Sequence, residues 1–411
     1  MHQTILKPNL WLKILIGMVL GTALAVIYPL DGTALQWIGL PGEIFIALLK
    51  MIIVPLILSS VILGIASAGT LNSLKSMGVR LVPYFIFTTA IAIVIGISIT
   101  NFVQPGLLIE TTETANSEIA SDTLTSLTIP DRIMNIIPVN PMEAQLTKNM
   151  LQLVIIGIIV GIALILIKTP ASKTFRHVCE FTQDASMMVV GWAMWIAPVA
   201  VFSLMVTAIS TMGITTLQGM GLYMACVVGG LLGVFCFYLI IVTLFAKRNP
   251  LTFLNDIRAA QIVAFSTSSS AATMPVSLTV AEERLKTSAD VRGFVIPLGA
   301  TINMDGTALY QATAALFLCQ AFGIDLSLTE TLLLLLTTIG ASIGTPAMPG
   351  VGLIVLATIL TSIGVPPAGL GIILGVDRLL DMCRTTINVT GDLTATAVMQ
   401  QWMHGKGKKQ T

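Results

Sequence analysis

The stretch "DRLLDMCRTTINVTGD", residues 377–392, places five formal charges between two apolar flanks, "PPAGLGIILGV" and "LTATAVMQQW". At about 100° per residue, Asp377, Asp381, Arg384, Asn388 and Asp392 share one helical face about 80° wide. Leu379, Leu380, Met382 and Ile387 leave the opposite face apolar. A charge at the centre of a membrane helix costs about 2.5–3.5 kcal/mol, so five isolated charges would cost roughly 12–17 kcal/mol. That is comparable to the stability of a whole domain. The face must therefore look into a polar interior. An Asp381–Arg384 pair at i,i+3 accounts for part of it, but leaves Asp305, Asn303 and Asn388 without a use. An arginine in mid-membrane marks a functional site.

The rest of the chain supports the membrane premise. Of 411 residues, 55% are hydrophobic and 10% charged, with mean hydropathy +0.92. A soluble domain carries about 25% charged residues. A net charge of +1 gives no reason to expect a nucleic-acid partner. Cys179, Cys226, Cys236, Cys319 and Cys383 lie in apolar runs without a C-x-x-C pair, so they read as small buried hydrophobes. His2, His177 and His404 fall near expected loops and chain ends, which argues against zinc, haem or Ser-His-Asp chemistry. Lys7 and Lys13 before an apolar run, with "ALA" at 23–25, imitate a signal peptide. The run Leu10–Leu30 is long enough to span, and reads as a first transmembrane helix.

Apolar segments fall near 10–30, 43–67, 80–103, 149–168, 183–209, 217–246, 253–280, 291–322, 331–362 and 367–402. Basic joints "LKSMGVR", "KTPASKTFRH" and "AKRNP" alternate with joints poor in Lys and Arg. The longest joint, 104–148, is acidic (Glu110, Glu113, Glu118, Asp122, Asp131). Basic joints belong in the cytoplasm, so the N-terminus is expected inside and 104–148 outside. After residue 246 the alternation fails. Segment 253–280 is basic on both sides, and no Lys or Arg occurs from 293 to 377. The C-terminal "HGKGKKQT" is expected inside. An all-α protein of eight spanning helices and two re-entrant hairpins solves this pattern. The hairpin tips are "STSSSAATMP" (266–275) and "GTPAMPGVG" (344–352). Non-helical backbone survives at membrane depth only where it lines a cavity or is buried in protein. Two such breaks in corresponding halves point to a binding site at an inverted repeat. "TIN" at 301–303 and 386–388 supports the repeat.

The charges read as ligands. The planar fork of Arg384 suits a carboxylate, and Asp381 suits an ammonium; a molecule with both groups and a second carboxylate is an acidic amino acid. Asp305, Asp392, Asn303 and Asn388 offer oxygens to a hard cation such as sodium. Unwinding at "MDG" and "TGD" would free backbone carbonyls as further ligands. Ser268, Ser269 and Ser270, with Gly350 and Gly352, present backbone groups to the substrate. Thr88 and Thr89 alone would read as helix threonines bonding backbone carbonyls, and Met348 as packing.

The motifs "SSSAATMP", "GATINMDGTALYQ", "GTPAMPGVG" and "DMCRTTINVTGD" together resemble the glutamate/aspartate transporters of the dicarboxylate/amino acid:cation symporter family. They stand in that family's order and spacing over most of 253–400. The resemblance implies a substrate site of Ser269, Ser270, Thr307, Met348, Gly352, Asp381, Arg384, Thr385 and Asn388. It implies one sodium at Gly299, Asn303, Asn388 and Asp392, a second at Thr88, Thr89, Asn303 and Asp305, and a third near Met304. It implies no organic cofactor, a homotrimer in lipid, and an elevator fold in the inner membrane of a prokaryote. The still scaffold would be 1–76 and 106–216. The moving transport domain would be 77–105 and 217–411, with hairpins 253–286 and 330–362 and helices 291–322 and 367–402.

Three positions depart from relatives. Ser268 and Met382 stand where archaeal and animal members, respectively, place an arginine, and the nearest extra arginine is Arg378. Phe85 stands where relatives have a tyrosine near Thr88 and Thr89. Gln311 stands where animal members have a glutamate, which argues against proton-for-potassium coupling of the animal type. A C4-dicarboxylate carrier would leave Asp381 unpaired beside two carboxylates. An anion channel would also want a polar path, but a full set of groups for one zwitterion suits a carrier better. An intramembrane aspartyl protease would need G-x-G-D, and Val389 breaks that pattern.

Overall fold

A computed structural model of the protein describes residues 10–28, 32–66, 77–109, 137–146, 150–213, 215–343, 345, 350–362, 365 and 368–404. No strand occurs among the described residues. The helices are α1 (Leu10–Ile27), α2 (Gly32–Ala66), α3 (Val79–Val103), α4 (Pro141–Leu146), α5 (Met150–Leu166), α6 (Pro170–Met212) and α7 (Thr215–Leu244). They continue with α8 (Pro250–Thr267), α9 (Ser270–Glu283), α10 (Ala289–Ile302), α11 (Asp305–Ala321), α12 (Leu328–Ile343), α13 (Val351–Ser362) and α14 (Ala368–His404), and a 3-10 turn follows α3 at Pro105–Leu108.

Helix α6 packs along α1 and α2, and α5 packs on α2. Small residues let these backbones approach. A methyl on Gly17 would sit 2.3 Å from the Pro198 carbonyl oxygen, and one on Gly21 2.4 Å from that of Phe202. Both α2 and α6 begin earlier than the hydropathy pattern predicts. Pro41 and Gly42 read as a joint, yet α2 runs through them, and the Gly42 N–H donates to Ser203 Oγ on α6 at 3.1 Å. The basic joint 168–177 becomes largely the first turns of α6, opened by Pro170 and carrying Arg176–Glu180 and His177–Glu180 pairs on an exposed face.

Helix α14 packs against α7, α8, α9, α10 and α11. Helix α11 is buried at almost every residue, as a helix at the centre of a bundle must be. The two expected hairpin tips interrupt helices. Asn249 caps α8, accepting from the N–H groups of Leu251 and Thr252. The helix ends at Ser268, whose φ of 51° and ψ of 34° are left-handed. Ser269 then caps α9 by accepting the Ala272 N–H at 3.1 Å. Helices α12 and α13 also pack on one another. Between them Gly350 takes φ 81°, a backbone that glycine adopts without a Cβ penalty. Residues 344 and 346–349 lie outside the described residues, Met348 among them. So do most of 104–148 and both chain ends, on which the expected orientation rests.

Four helical stretches among the described residues are long and apolar enough to cross a membrane by length and composition: Gly32–Ile52, Val79–Leu108, Pro170–Thr211 and Thr215–Leu244. The polar face of α14 and the break between α10 and α11 put those segments outside such a count. That break falls at "MDG" as expected, with Asn303 at φ −90°, ψ 80° and Met304 at φ −110°, ψ 47°. The unwinding expected at "TGD" does not occur, because α14 is continuous through it. Gly391 serves clearance there: a methyl would lie 2.5 Å from Tyr238 Oη. The Asp392 carbonyl already accepts the Thr396 hydroxyl at 2.7 Å. The cysteines are all free; Cys236 is exposed rather than buried, on the outward face of α7.

Candidate functional site

The helical period puts the polar face of α14 inward. Asp377, Asp381, Arg384, Asn388 and Asp392 are all buried, and Arg384 is 1% exposed. Three neighbours hold its guanidinium. Nε donates to Asp381 Oδ1 and Nη1 to Asp377 Oδ1, each at 2.9 Å. The ring of Tyr310 on α11 lies under Cζ, 4.2 Å from its centroid, a cation–π contact strengthened by burial. Nη2 is 2.9 Å from Asp381 Oδ1 as an ion pair, yet has no aligned hydrogen-bond acceptor among the described residues. A methyl on Gly352 of α13 would come within 2.9 Å of Nη2, so the absent side chain is what admits the guanidinium.

Asp381 spreads its second oxygen wider. Oδ2 accepts the Gly350 N–H at 3.0 Å, and Arg378 Nη1 stands 3.7 Å away. Arg378 thus reaches the same aspartate as Arg384 from the flank of the helix. Ser268, Ser270, Met304, Thr307, Thr345, Gly352, Asp381, Arg384, Thr385 and Asn388 line one cavity. Seven residues expected for the substrate are therefore together: Ser270, Thr307, Gly352, Asp381, Arg384, Thr385 and Asn388, the last shared with an expected sodium site. Ser269 is buried beside them as the cap of α9. Ser268, expected to offer only backbone groups, lines the cavity as well; its hydroxyl is buried with no partner among the described residues.

A second polar cluster lies deeper, around the α10–α11 break. Asn303 Nδ2 donates to Asp392 Oδ1 at 3.0 Å, and Asn303 Oδ1 is buried without a partner among the described residues. Asp392 also stands against Gly299, where a methyl would lie 2.5 Å from Oδ1. Asn388 Oδ1 accepts the Gly306 N–H at 2.8 Å; its Nδ2 donates to Thr307 Oγ1 at 3.1 Å and lies 3.3 Å from the Met304 sulfur. Asp305 is fully buried. Its Oδ1 accepts Thr89 Oγ1 at 2.5 Å and its Oδ2 accepts Tyr238 Oη at 2.6 Å. Thr88 donates to the Phe85 carbonyl on its own helix at 3.1 Å, with its hydroxyl also beside Asp305. Neither Asp305 nor Asp392 has a Lys or Arg partner within ion-pair reach among the described residues. A buried carboxylate without a counter-charge is costly, and this oxygen-rich cluster suits a hard monovalent cation.

Sequence reasoning missed Tyr238, Tyr310 and the pairing of Asp377 with Arg384. Tyr238 sits in "FCFYLII", a run with no polar period, and its partner is far away in sequence. Gln311 Nε2 donates to the Gly352 carbonyl at 3.3 Å, tying α11 to α13.

The profile of the sodium:dicarboxylate symporter family matches residues 10–402. A proton/sodium-glutamate symport protein of Bacillus subtilis is 33% identical over 97% of this chain and 93% of its own length. A proton/glutamate-aspartate symporter of Escherichia coli is 31% identical over 98% and 95%. The neutral amino acid transporter B(0) of Bos taurus is also 31% identical, over 97% and 81%.

Proposed function

Because the chain belongs to the sodium:dicarboxylate symporter family, we propose that it carries an acidic amino acid, L-glutamate or L-aspartate, into the cell together with sodium ions. The family and the relatives are carriers, so the chain is a transporter and not an enzyme. Relatives named for glutamate and for neutral amino acids are about equally similar to it. The substrate class therefore rests on one observation: the buried Arg384 fork opening beside Asp381 into a cavity lined by both hairpins.

In this reading the side-chain carboxylate of the substrate takes the Nη2 edge of Arg384, which lacks an acceptor. The ammonium takes Asp381 Oδ2, where the Gly350 N–H now sits. Substrate entry and movement of the second hairpin are then one event, with Met348 and Gly352 covering the bound molecule. Ser269, Ser270, Thr307, Thr385 and Asn388 complete its hydrogen bonds. Sodium ions occupy the deeper cluster: one at Gly299, Asn303, Asn388 and Asp392, one at Asn303, Asp305, Thr88 and Thr89, and one near Met304. Two buried carboxylates without a Lys or Arg partner among the described residues support that assignment. Ordering of the clusters by ions would preorganise Asn388 and Thr307 for the substrate, which couples the two.

The arrangement works as an elevator of eight spanning helices and two re-entrant hairpins, in a homotrimer in the inner membrane with both termini cytoplasmic. The close packing of α6 on α1 and α2, and of α14 on α7 to α11, supports a scaffold and a transport domain, with α6 and α14 in contact between them.

The test is uptake of labelled aspartate and glutamate into proteoliposomes under an inward sodium gradient, with a proton gradient and excess succinate as comparisons. Sodium-driven uptake that succinate leaves alone supports the reading. Uptake driven by protons alone rejects sodium coupling, and block by succinate favours a C4-dicarboxylate carrier, which has no ammonium for Asp381.

A further inference from the structure

We propose that Tyr238 is a ligand of the cation site at Asp305. The proposal rests on the sodium-coupled reading above and adds a helix, α7, that neither the motifs nor the sequence pattern assign to the site.

Tyr238 is fully buried and its hydroxyl donates to Asp305 Oδ2 at 2.6 Å. Thr89 holds the other oxygen at 2.5 Å. Asp305 is thus fixed from α3 and α7 by two neutral hydroxyls, and no Lys or Arg offsets its charge among the described residues. Hydroxyls orient a carboxylate without neutralising it, which leaves the charge for an ion. A phenol that donates its one proton to Asp305 keeps two lone pairs. The phenol oxygen packs closely against Gly391. Gly391 lacks the methyl that would stand 2.5 Å from Tyr238 Oη and 2.7 Å from Asn303 Nδ2. The phenol and the Asn303 amide therefore meet against Gly391, and Asn303 Oδ1 is buried and unpartnered among the described residues. Asp305, Thr89, Tyr238 and Asn303 then offer an oxygen set of the kind hard cations take. Phe85 on α3, buried one turn before Thr89, contributes no oxygen; the phenol on α7 supplies one.

A tyrosine that merely satisfies its own hydroxyl would weaken fold and substrate binding alike when removed. A ligand would separate the two. The experiment uses the full chain, purified, with labelled aspartate binding titrated against sodium. It is run on the unmodified protein, Tyr238→Phe and Gly391→Ala, with thermal unfolding in parallel. In Tyr238→Phe the half-saturating sodium concentration rises about tenfold or more, while aspartate affinity at saturating sodium is unchanged. Gly391→Ala, whose methyl displaces the phenol, gives the same shift and carries the test if Tyr238→Phe does not fold. Sodium half-saturation unchanged in the variants, or aspartate binding equally weakened at saturating sodium, overturns the proposal. An unmodified protein that binds aspartate without sodium overturns the coupling reading itself, and this proposal with it.

Discussion

Asn388 closes the break in the helix facing it: its Oδ1 accepts the Gly306 N–H at 2.8 Å. A helix starting at Asp305 leaves its first N–H groups without intrahelical partners, and one of these is supplied from α14. The same side chain donates to Thr307, so one residue joins the expected substrate and cation clusters. Asn388→Ala leaves a buried N–H unsatisfied, at a cost of about 1–3 kcal/mol. A lowered midpoint of thermal unfolding and loss of sodium-dependent aspartate binding are expected together. A variant that binds normally would detach Asn388 from both clusters.

Arg384→Gln separates charge recognition from general binding. Aspartate and glutamate affinity falls by about a hundredfold or more, the worth of a charge-assisted hydrogen bond of about 3 kcal/mol. Competition by a neutral amino acid such as serine falls much less. Asp377 and Asp381 lose their shared partner, so a destabilisation of about 3–5 kcal/mol accompanies it. Isothermal titration with aspartate and with serine reads the ratio; equal weakening of both would sink the role of the guanidinium.

Gly299→Ala puts a methyl within 2.5 Å of Asp392 Oδ1. The carboxylate must swing away, breaking its bond from Asn303 Nδ2. The expected outcome is a sodium half-saturation raised about tenfold with helix content by circular dichroism unchanged. An unaltered sodium curve would place no ion beside Asp392.

Arg378→Ala removes the outer arginine of Asp381. At 3.7 Å, with 18% of its side chain exposed, this pair is looser than the Arg384 pair. The expected loss of stability is smaller than for Arg384→Gln, because Arg378 makes no hydrogen bond to Asp381 at that distance and Asp381 keeps Arg384. Chemical denaturation of the two variants side by side gives the comparison; equal losses would mean that Arg378 carries as much of Asp381 as Arg384 does.

The parts of the site legible in the sequence were those written on a single element. The polar face of α14 follows from period alone, because 377, 381, 384, 388 and 392 recur at helical spacing. The break at "MDG" and the turn at Ser268 were marked by residues that weaken helices. The starts of α2 and α6 were not legible. Pro41, Gly42 and the basic run 168–177 look like joints, and only packing against a neighbour keeps α2 helical there. Gly391 was misread for a related reason: glycine marks either a bend or a close approach, and the decisive neighbour, Tyr238, is about 150 residues away in the chain. Tyr238 itself gave no signal, since one phenol in an apolar helix has no period to break.

The charged face of α14 also constrains the order in which the protein is made. It is the last of the described helices to leave the ribosome, so α7 to α11, against which it packs, are already present when it arrives. Its aspartates and arginine can be received directly into a formed cradle rather than waiting in lipid. A chain stalled or cut before residue 368 would leave Asn303 and the Gly306 N–H facing an unfilled slot. Such a product would expose a polar interior with no fault in the helices before it.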